Sequence, residues 1–412
     1  MGLAGKARIT AWCWLGCSLA MLATAEESRQ LEVLPADQTV LADPVSGAKL
    51  TFLTTKTPST NLYFHERSWL ADSSMILFNG HRGLTGSLVQ TGELVVIASP
   101  VEALTGATAA AQRSSFFCMR GNDVLEITPT IRYSPDPANI RSTVSVTERL
   151  IATLPASGQL NANYDDQYLS VGFLQNAVPT ICVVEVATGR VQEICKIESP
   201  LLWKGHLQWS RTRSNLLSFA GGNDWHREDG PSRLWVVDPK IGVPRPVYLQ
   251  VQDELVTHES WWGNDQILFC GAPAALKHGD DPQRREMSHV NILNLATGEV
   301  RILGAGAWWP GATDAEIWRR NWWHCAGSSD GRWVVADNPH GDLALFEGST
   351  TRPRLLTTGH RTYGGGVHPH PGWDRQGLQV IFASHLLSNE AQVCVATIPG
   401  QWQQENSPTR KP

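Results

Sequence analysis

The sequence predicts an all-β chain folded as a seven-bladed β-propeller. Three observations carry this. First, a polar turn followed by a run of β-forming residues recurs along the chain: "ADSSMILFNG", "YDDQYLSVGF", "TRSNLLSFAGG", "GNDQILFCG", "SSDGRWVVADNPHGDLALFE" and "DRQGLQVIFAS". Second, several units run into a further strand that closes in Thr-Gly, most clearly "VVEVATGRVQEI" and "NILNLATGEVRIL". Third, amphipathic helical periodicity is scarce beyond the first residues. Repeats of roughly 40 to 50 residues, each with several short strands, are the signature of a propeller. A β-sandwich with appendages accounts for the even spacing less well.

The elements follow in order. Residues 1–25 read as a secretory signal peptide: Lys6 and Arg8 form a positive start, an apolar run extends from Ile9 to Leu22, and Ala23-Thr24-Ala25 is a small-x-small cleavage site. An N-terminal membrane anchor fits less well, because the run is shorter than the ~20 residues that a span requires. The chain is therefore expected to be exported, to a periplasm or to the outside. Residues 26–400 form the propeller domain, and 401–412 a polar C-terminal tail. Residues 40–56 supply a strand that closes the ring against the last blade. The seven units begin near Tyr63, Cys118, Tyr164, His206, His258, His324 and His368. In the hairpin "CVVEVATGRVQEIC", a two-residue turn would set Cys182 opposite Cys195. A glycine bulge at Thr188-Gly189 would set them on opposite faces. The bulge is expected, and with it no disulfide between the two.

Composition removes several classes. Apolar residues make up 42% and charged residues 18%, which excludes a disordered chain. The net charge is −5, and −7 once residues 1–25 with Lys6 and Arg8 are removed. No basic stripe exists, so nucleic acid is not an expected partner. No later segment is long and apolar enough to span a bilayer. Outside residues 1–25 the cysteines are Cys118, Cys182, Cys195, Cys270, Cys325 and Cys394; none sits in a CxxC spacing, which argues against a zinc knuckle.

Function in a propeller gathers on one face, around the central channel, where the chain enters the innermost strand of each blade. Histidines occupy that lead-in position repeatedly: His206 in "KGHLQWS", His258 in "VTHESWW", His324 in "NWWHCAGSSDG", and His368 with His370 in "GVHPHPGWD". Scattered structural histidines would not keep phase with the repeat. Both His368 and His370 precede proline, which disfavours the α region. Extended backbone would aim the two imidazoles to one side, an arrangement suited to a metal ion. His65, His81, His226 and His360 are read as rim residues.

"THESWWGNDQILF", "WHCAGSSDGRWVVAD", "HPHPGWDRQGLQVIFAS" and "GHLQWSRTRSNLLSFAGG…GPSRLWVVD", in their order on a seven-bladed propeller, resemble the oligogalacturonate lyases. The likeness spans the chain beyond the signal segment and is sharpest from His206 to Ser384. It implies a divalent metal, typically manganese, an acidic oligosaccharide as substrate, and cleavage of short pectin oligomers by β-elimination. That reaction removes the C5 proton beside a uronate carboxylate. The carboxylate charge must first be neutralised by a cation, and a base within reach takes the proton. By the resemblance, His258 matches the general base, and Arg233 in "SRLWVVD" the arginine that contacts the carboxylate. His324, His368 and His370 match metal ligands. The family's further glutamine ligand, three residues before the first HPHP histidine, is here Gly365. Where the family carries a His-Glu pair after the fourth-blade strand, this chain has Gly221 and Gly222, which implies a wider site.

Each candidate also has a structural reading. Arg233 fits a salt bridge at a blade edge, His258 a hydrogen bond between blades, and His206 a structural role as readily as substrate binding. Among 17 tryptophans the tandem pairs Trp261-Trp262, Trp308-Trp309 and Trp322-Trp323 stand out. Adjacent strand residues point to opposite faces, so one of each pair, Trp261 for instance, can stack on a sugar, or both can fill gaps between blades. The function read from the sequence is a metal-assisted lyase of uronate oligosaccharides. The alternative is a non-catalytic envelope propeller that binds a glycan or a protein.

Overall fold

A computed structural model of the chain describes residues 28–98, 100–134, 142–224, 230–272, 287–307, 309, 311–348, 352–361 and 367–404. Seven antiparallel sheets form a ring, a seven-bladed β-propeller. The innermost strands, from blade 1 to blade 7, are Ser59–Asn61, Leu104–Ala109, Gln159–Ala162, Gln208–Trp209, Leu255–Trp262, Cys325–Gly327 and Gly372–Trp373. The ring closes as the sequence indicates. Lys49–Phe52 pairs with Gln392–Thr397 of the last blade, Cys394 opposite Phe52, and Thr39–Ala42 adds the outer edge. This tie joins the two ends of the chain. Arg29–Gln30 and Glu32–Leu34 run back over the outer edges of blades 2 and 1.

The apolar runs are explained by burial on both faces. Alternate side chains of a strand point to the two neighbouring blades, and an apolar cluster fills each interface. Phe219 and Trp209 lie in the cluster between blades 3 and 4, Phe269 in that between 4 and 5, and Phe346 in that between 5 and 6. Trp261 and Trp262 obey the same rule. Trp261 fills the interface of blades 4 and 5, and Trp262 that of blades 5 and 6.

Three boundaries differ from the sequence reading; in blade 3 the innermost strand, Gln159–Ala162, ends before Tyr164. Blade 2 begins at Leu104, and Cys118 lies in its second strand, Phe116–Arg120, where the side chain is fully buried. The apolar Phe-Phe-Cys-Met run imitates a start because it is buried on both sides. In blade 1 the chain leaves the innermost strand at Asn61 and crosses the channel before rejoining the blade at Trp69, which bridges to Ile76. In the hairpin, Gly189 takes φ +72 and Glu185 receives its N–H; Cys182 pairs with Glu193, and Ile181 with Cys195 across a bulge. The two thiols therefore face different interfaces, Cys182 that of blades 2 and 3 and Cys195 that of blades 3 and 4, and both are free. No helix among the described residues is long and apolar enough to cross a membrane.

Candidate active site

The phase of the histidines becomes proximity at one mouth of the channel. His258 and His324 rings stand 4.0 Å apart, His324 and His370 4.4 Å, His324 and His368 5.4 Å, and His206 and His258 6.0 Å, centroid to centroid. Three of these residues adopt left-handed backbone: His206 at φ +56, His258 at +52 and His370 at +46. For a residue other than glycine this conformation is uncommon and costs energy. At His258 a register shift between Thr257 and Ser260 accompanies it, and such bulges re-aim a side chain. At His370 it overturns the expectation of an extended backbone. Its carbonyl is instead anchored by Asn61 Nδ2 at 2.6 Å, and the His368 and His370 ring planes lie 42° apart.

The ligand atoms of His324, His368 and His370 nevertheless all lie within 4.8 Å of one another. His324 Nδ1 faces the Asp337 carboxylate at 2.9 Å, and Asp337 also accepts the His324 backbone N–H at 2.7 Å. A carboxylate behind an imidazole fixes its tautomer and raises its basicity toward a metal. Burial pushes His370 down to about 3 and His324 well below the usual histidine range, and it lowers His368 as well. All three are neutral at pH 7, the form that ligates. The donor set and its electrostatics fit a divalent cation.

Beside this cluster lies a cavity of about 580 Å³ lined by Lys204, His206, Asn223, Asp224, Arg233, Thr257 and His258. His258 Nδ1 lies 2.7 Å from the Trp323 carbonyl. A carbonyl only accepts, so the proton sits on Nδ1 and Nε2 keeps its lone pair. Burial, then the charges of His324 and His206, hold the His258 pKa well below its ordinary value. Arg233 is buried. Its Nε donates to Glu259 at 2.9 Å and its Nη1 to Asp224. Glu259 is buried too, and its second oxygen stands 3.5 Å from His206 Nδ1. One carboxylate thus holds the arginine and faces a histidine. Burial pushes His206 down to about 3, and its Nε2 meets the Tyr63 hydroxyl at 3.2 Å.

The structure thus brings His206, His258, Arg233, His324, His368 and His370 together. Trp261 does not join them. It is 3% exposed in the interblade core, its indole N–H held by the Gln208 carbonyl. Trp323 is the tandem residue at the mouth, its ring 5.3 Å from that of His258. Gly221 and Gly222 do not widen the site. A Cβ on Gly222 would lie 2.3 Å from the Pro231 carbonyl, and one on Gly221 2.5 Å from the Trp235 ring. Glycine is required there by close packing, and the next residues, Asn223 and Asp224, reach the cavity. Of the histidines read as rim residues, His65 is buried among the cluster, 5.6 Å from His206, with its Nδ1 on Glu66. His360 is a core residue between Thr357 and Ser384. His81 is exposed in the turn between the second and third strands of blade 1. His226, Trp308 and Gly365 lie outside the described residues.

Sequence reasoning missed Tyr63, Phe64, Glu259, Asp337 and Asp224. Glu259 carried one usable signal, an acid beside a candidate base within an otherwise apolar strand. Asp337 carried another, an acid closing the buried run "VVAD". Tyr63 and Phe64 carried none, because the crossing segment has no counterpart in the other blades.

Fold and site together define a seven-bladed propeller with a histidine-lined, metal-competent mouth. No protein-family model matches the chain, and no curated protein matches it in sequence. Among solved structures it is similar to the oligogalacturonate lyase of Vibrio parahaemolyticus, with a TM-score of 0.69 and 17% identity over 90% of this chain and 100% of that one. It is also similar to an oligogalacturonate lyase in complex with manganese, with a TM-score of 0.66 and 18% identity over 91% of this chain and 100% of that one. The likeness is one of fold, and at that level it agrees with the likeness of the motifs.

Proposed function

We propose that this chain is a metal-assisted polysaccharide lyase that cleaves uronate-containing, oligogalacturonate-like oligosaccharides by β-elimination. The observation that carries the reading is His258: its proton is committed to the Trp323 carbonyl, and it lines the cavity with Arg233 next to a three-imidazole cluster. His258 Nε2 takes the C5 proton of the uronate. The C5–H electron pair becomes the C4–C5 double bond. The C4–O bond breaks with its pair on the glycosidic oxygen, which takes a proton from water. Glu259 and Asp224 hold Arg233 in place and, among the described residues, leave Nη2 for the substrate carboxylate. Trp323 flanks the base, and Tyr63 lies beside His206 and His370. His324, His368 and His370 are the residues that would hold a divalent cation, manganese by analogy with the lyase neighbour, and the cation would neutralise the carboxylate and so acidify C5–H.

A second reading, a non-catalytic envelope propeller that binds a glycan or a protein, draws support from the two carboxylates that already engage Arg233. One assay separates them: ultraviolet absorbance of unsaturated uronate on a panel of acidic glycans, with and without a chelator. The lyase reading requires product on at least one uronate polymer or oligomer, suppressed by chelation. Folded, metal-loaded protein that makes none on any of them overturns it. The export reading rests on residues 1–25. Intact mass of the protein secreted by its host should begin at Glu26, and a retained Met1 would exclude cleavage.

A further inference from the structure

The channel has a second end. The crossing segment of blade 1 places Phe64, 2% exposed, across the axis. Its ring lies 5.7 Å from that of His324, 6.2 Å from those of both His206 and His258, and 6.4 Å from that of His370. The same residue roofs a separate cavity of about 50 Å³ on the far side, lined among others by Arg67, Arg211, Arg375, Glu66 and Asp374. Arg67 belongs to the crossing segment, and Arg211 and Arg375 to the turns that leave the innermost strands of blades 4 and 7.

The three guanidinium groups share an unusual condition. None forms an ion pair with a carboxylate among the described residues. Arg67 donates to the Ala162 carbonyl, Arg211 to that of His65, and Arg375 to those of Trp69, Ala110 and Ala111. The remaining donors of Arg67 and Arg211 have no protein partner among the described residues. Both carboxylates in the cavity wall are committed elsewhere: Glu66 to His65, Gln159 and Asn161, and Asp374 to the backbone N–H groups of Leu378 and Gln379. Burial, then the charge of Arg67, pushes Arg375 down to about 10. Arg67 and Arg375 are half-buried and Arg211 is exposed, and Glu66, Asp166 and Asp72 offset them only through space, so three like charges held together are still costly. A planar fork of donors is also the group best suited to bind an anion. A water needs ~10–15 Å³ of such a cavity, so the space takes one ion between halide and phosphate in size and excludes a sugar.

We infer that the base of the central channel, beneath Phe64, is a binding site for a small inorganic anion held by Arg67, Arg211 and Arg375. The ion neutralises the arginines and ties blades 1, 4 and 7 together across the axis. It acts on the ring and takes no part in the chemistry proposed at the mouth.

The test is thermal unfolding of the full chain in sodium bromide or sodium phosphate against sodium gluconate at equal ionic strength. Bromide or phosphate should raise the midpoint saturably, while gluconate, too large for the cavity, should not. Arg211→Gln should weaken the half-saturating concentration about tenfold or more, as loss of a charged hydrogen-bond partner implies. Arg211 is exposed, so the substitution leaves no buried gap. Crystals of the unaltered protein grown in bromide should show its anomalous signal between Phe64 and the three arginines. A midpoint blind to anion identity, an unchanged half-saturation in the variant, or a cavity without bromide would each overturn the inference. Lyase activity plays no part in these measurements, so their failure and the failure of the proposed function are separate results.

Discussion

The two ends of the channel contrast in how they keep charge out of the core. At the mouth, His206, His258, His324 and His370 are crowded but neutral, because burial holds each imidazole below its usual range. At the base, Arg67, Arg211 and Arg375 cannot shed their protons near neutral pH, so crowding leaves real charge. The mouth is a set of lone pairs suited to a cation. The base is a set of donors that awaits an anion. Phe64 separates them, and that one ring lets opposite chemistries share an axis. Burial alone is therefore not a functional signal; what matters is whether the buried group can become neutral.

The contrast is broken most forcefully at the mouth. His258→Ala should lower elimination by roughly two to four orders of magnitude, the range of general-base catalysis, while metal content stays at the unaltered level. Coupled turnover and metal analysis check both. The pH profile of the proposed activity follows from the direction of the His258 shift. Activity should be flat through neutrality and fall only in acid, below the ordinary histidine range, as the base becomes protonated.

Removing the partition is the next largest effect. Phe64→Ala should cost about 3–5 kcal/mol in stability, the usual range for truncating a buried phenylalanine, read from denaturant midpoints. If Phe64 separates the two ends, small anions should then affect metal binding at the mouth, which they should not do in the unaltered protein.

A smaller change sharpens the metal half. Asp337→Asn keeps shape but removes the charge behind His324, and should weaken metal affinity by about 10- to 100-fold, measured by competition with a chromogenic chelator. An unchanged affinity would detach Asp337 from the cluster.

The smallest effect comes from a histidine at neither end. His360 is buried between two hydroxyls, and burial lowers its pKa to about 4. Its folded pKa lies below that of the unfolded chain, near 6.5. Its contribution is therefore complete above that value, and is lost as pH falls from there toward 4. Linkage gives about 2 kcal/mol lost between pH 7 and 5. The acid slope of the unfolding free energy should shrink in His360→Gln relative to the unaltered chain.

Much of this was legible before any coordinates. Blade number followed from the recurrence of turn and strand, because each blade solves the same packing problem. The closing strand followed from an unpaired β-forming stretch at the start. His258, His324 and the HPHP pair were found by phase, since a repeat converts equal sequence offset into one shared face. The reading failed where the repeat is broken or imitated. Cys118 passed for a blade start because a strand buried on both faces looks alike at either end. Trp261 passed for a sugar platform because aromatic content does not reveal which side of a strand is covered. Gly221 and Gly222 suggested open space, whereas the carbonyl of Pro231 and the ring of Trp235 occupy it.

The sequence by itself determined the all-β class, the seven repeats and the histidines, because strand periodicity and turn chemistry are local and are written residue by residue. Only the tertiary structure decided how those histidines divide their work. Asp337 stands behind His324, Glu259 holds Arg233 and faces His206, and Trp323 fixes the tautomer of His258. It alone placed Phe64 across the channel and gathered three arginines beneath it. These are contacts between residues far apart in the chain, Phe64 and His370 being 306 positions apart. Closure of the ring sets such distances, and no local pattern encodes them.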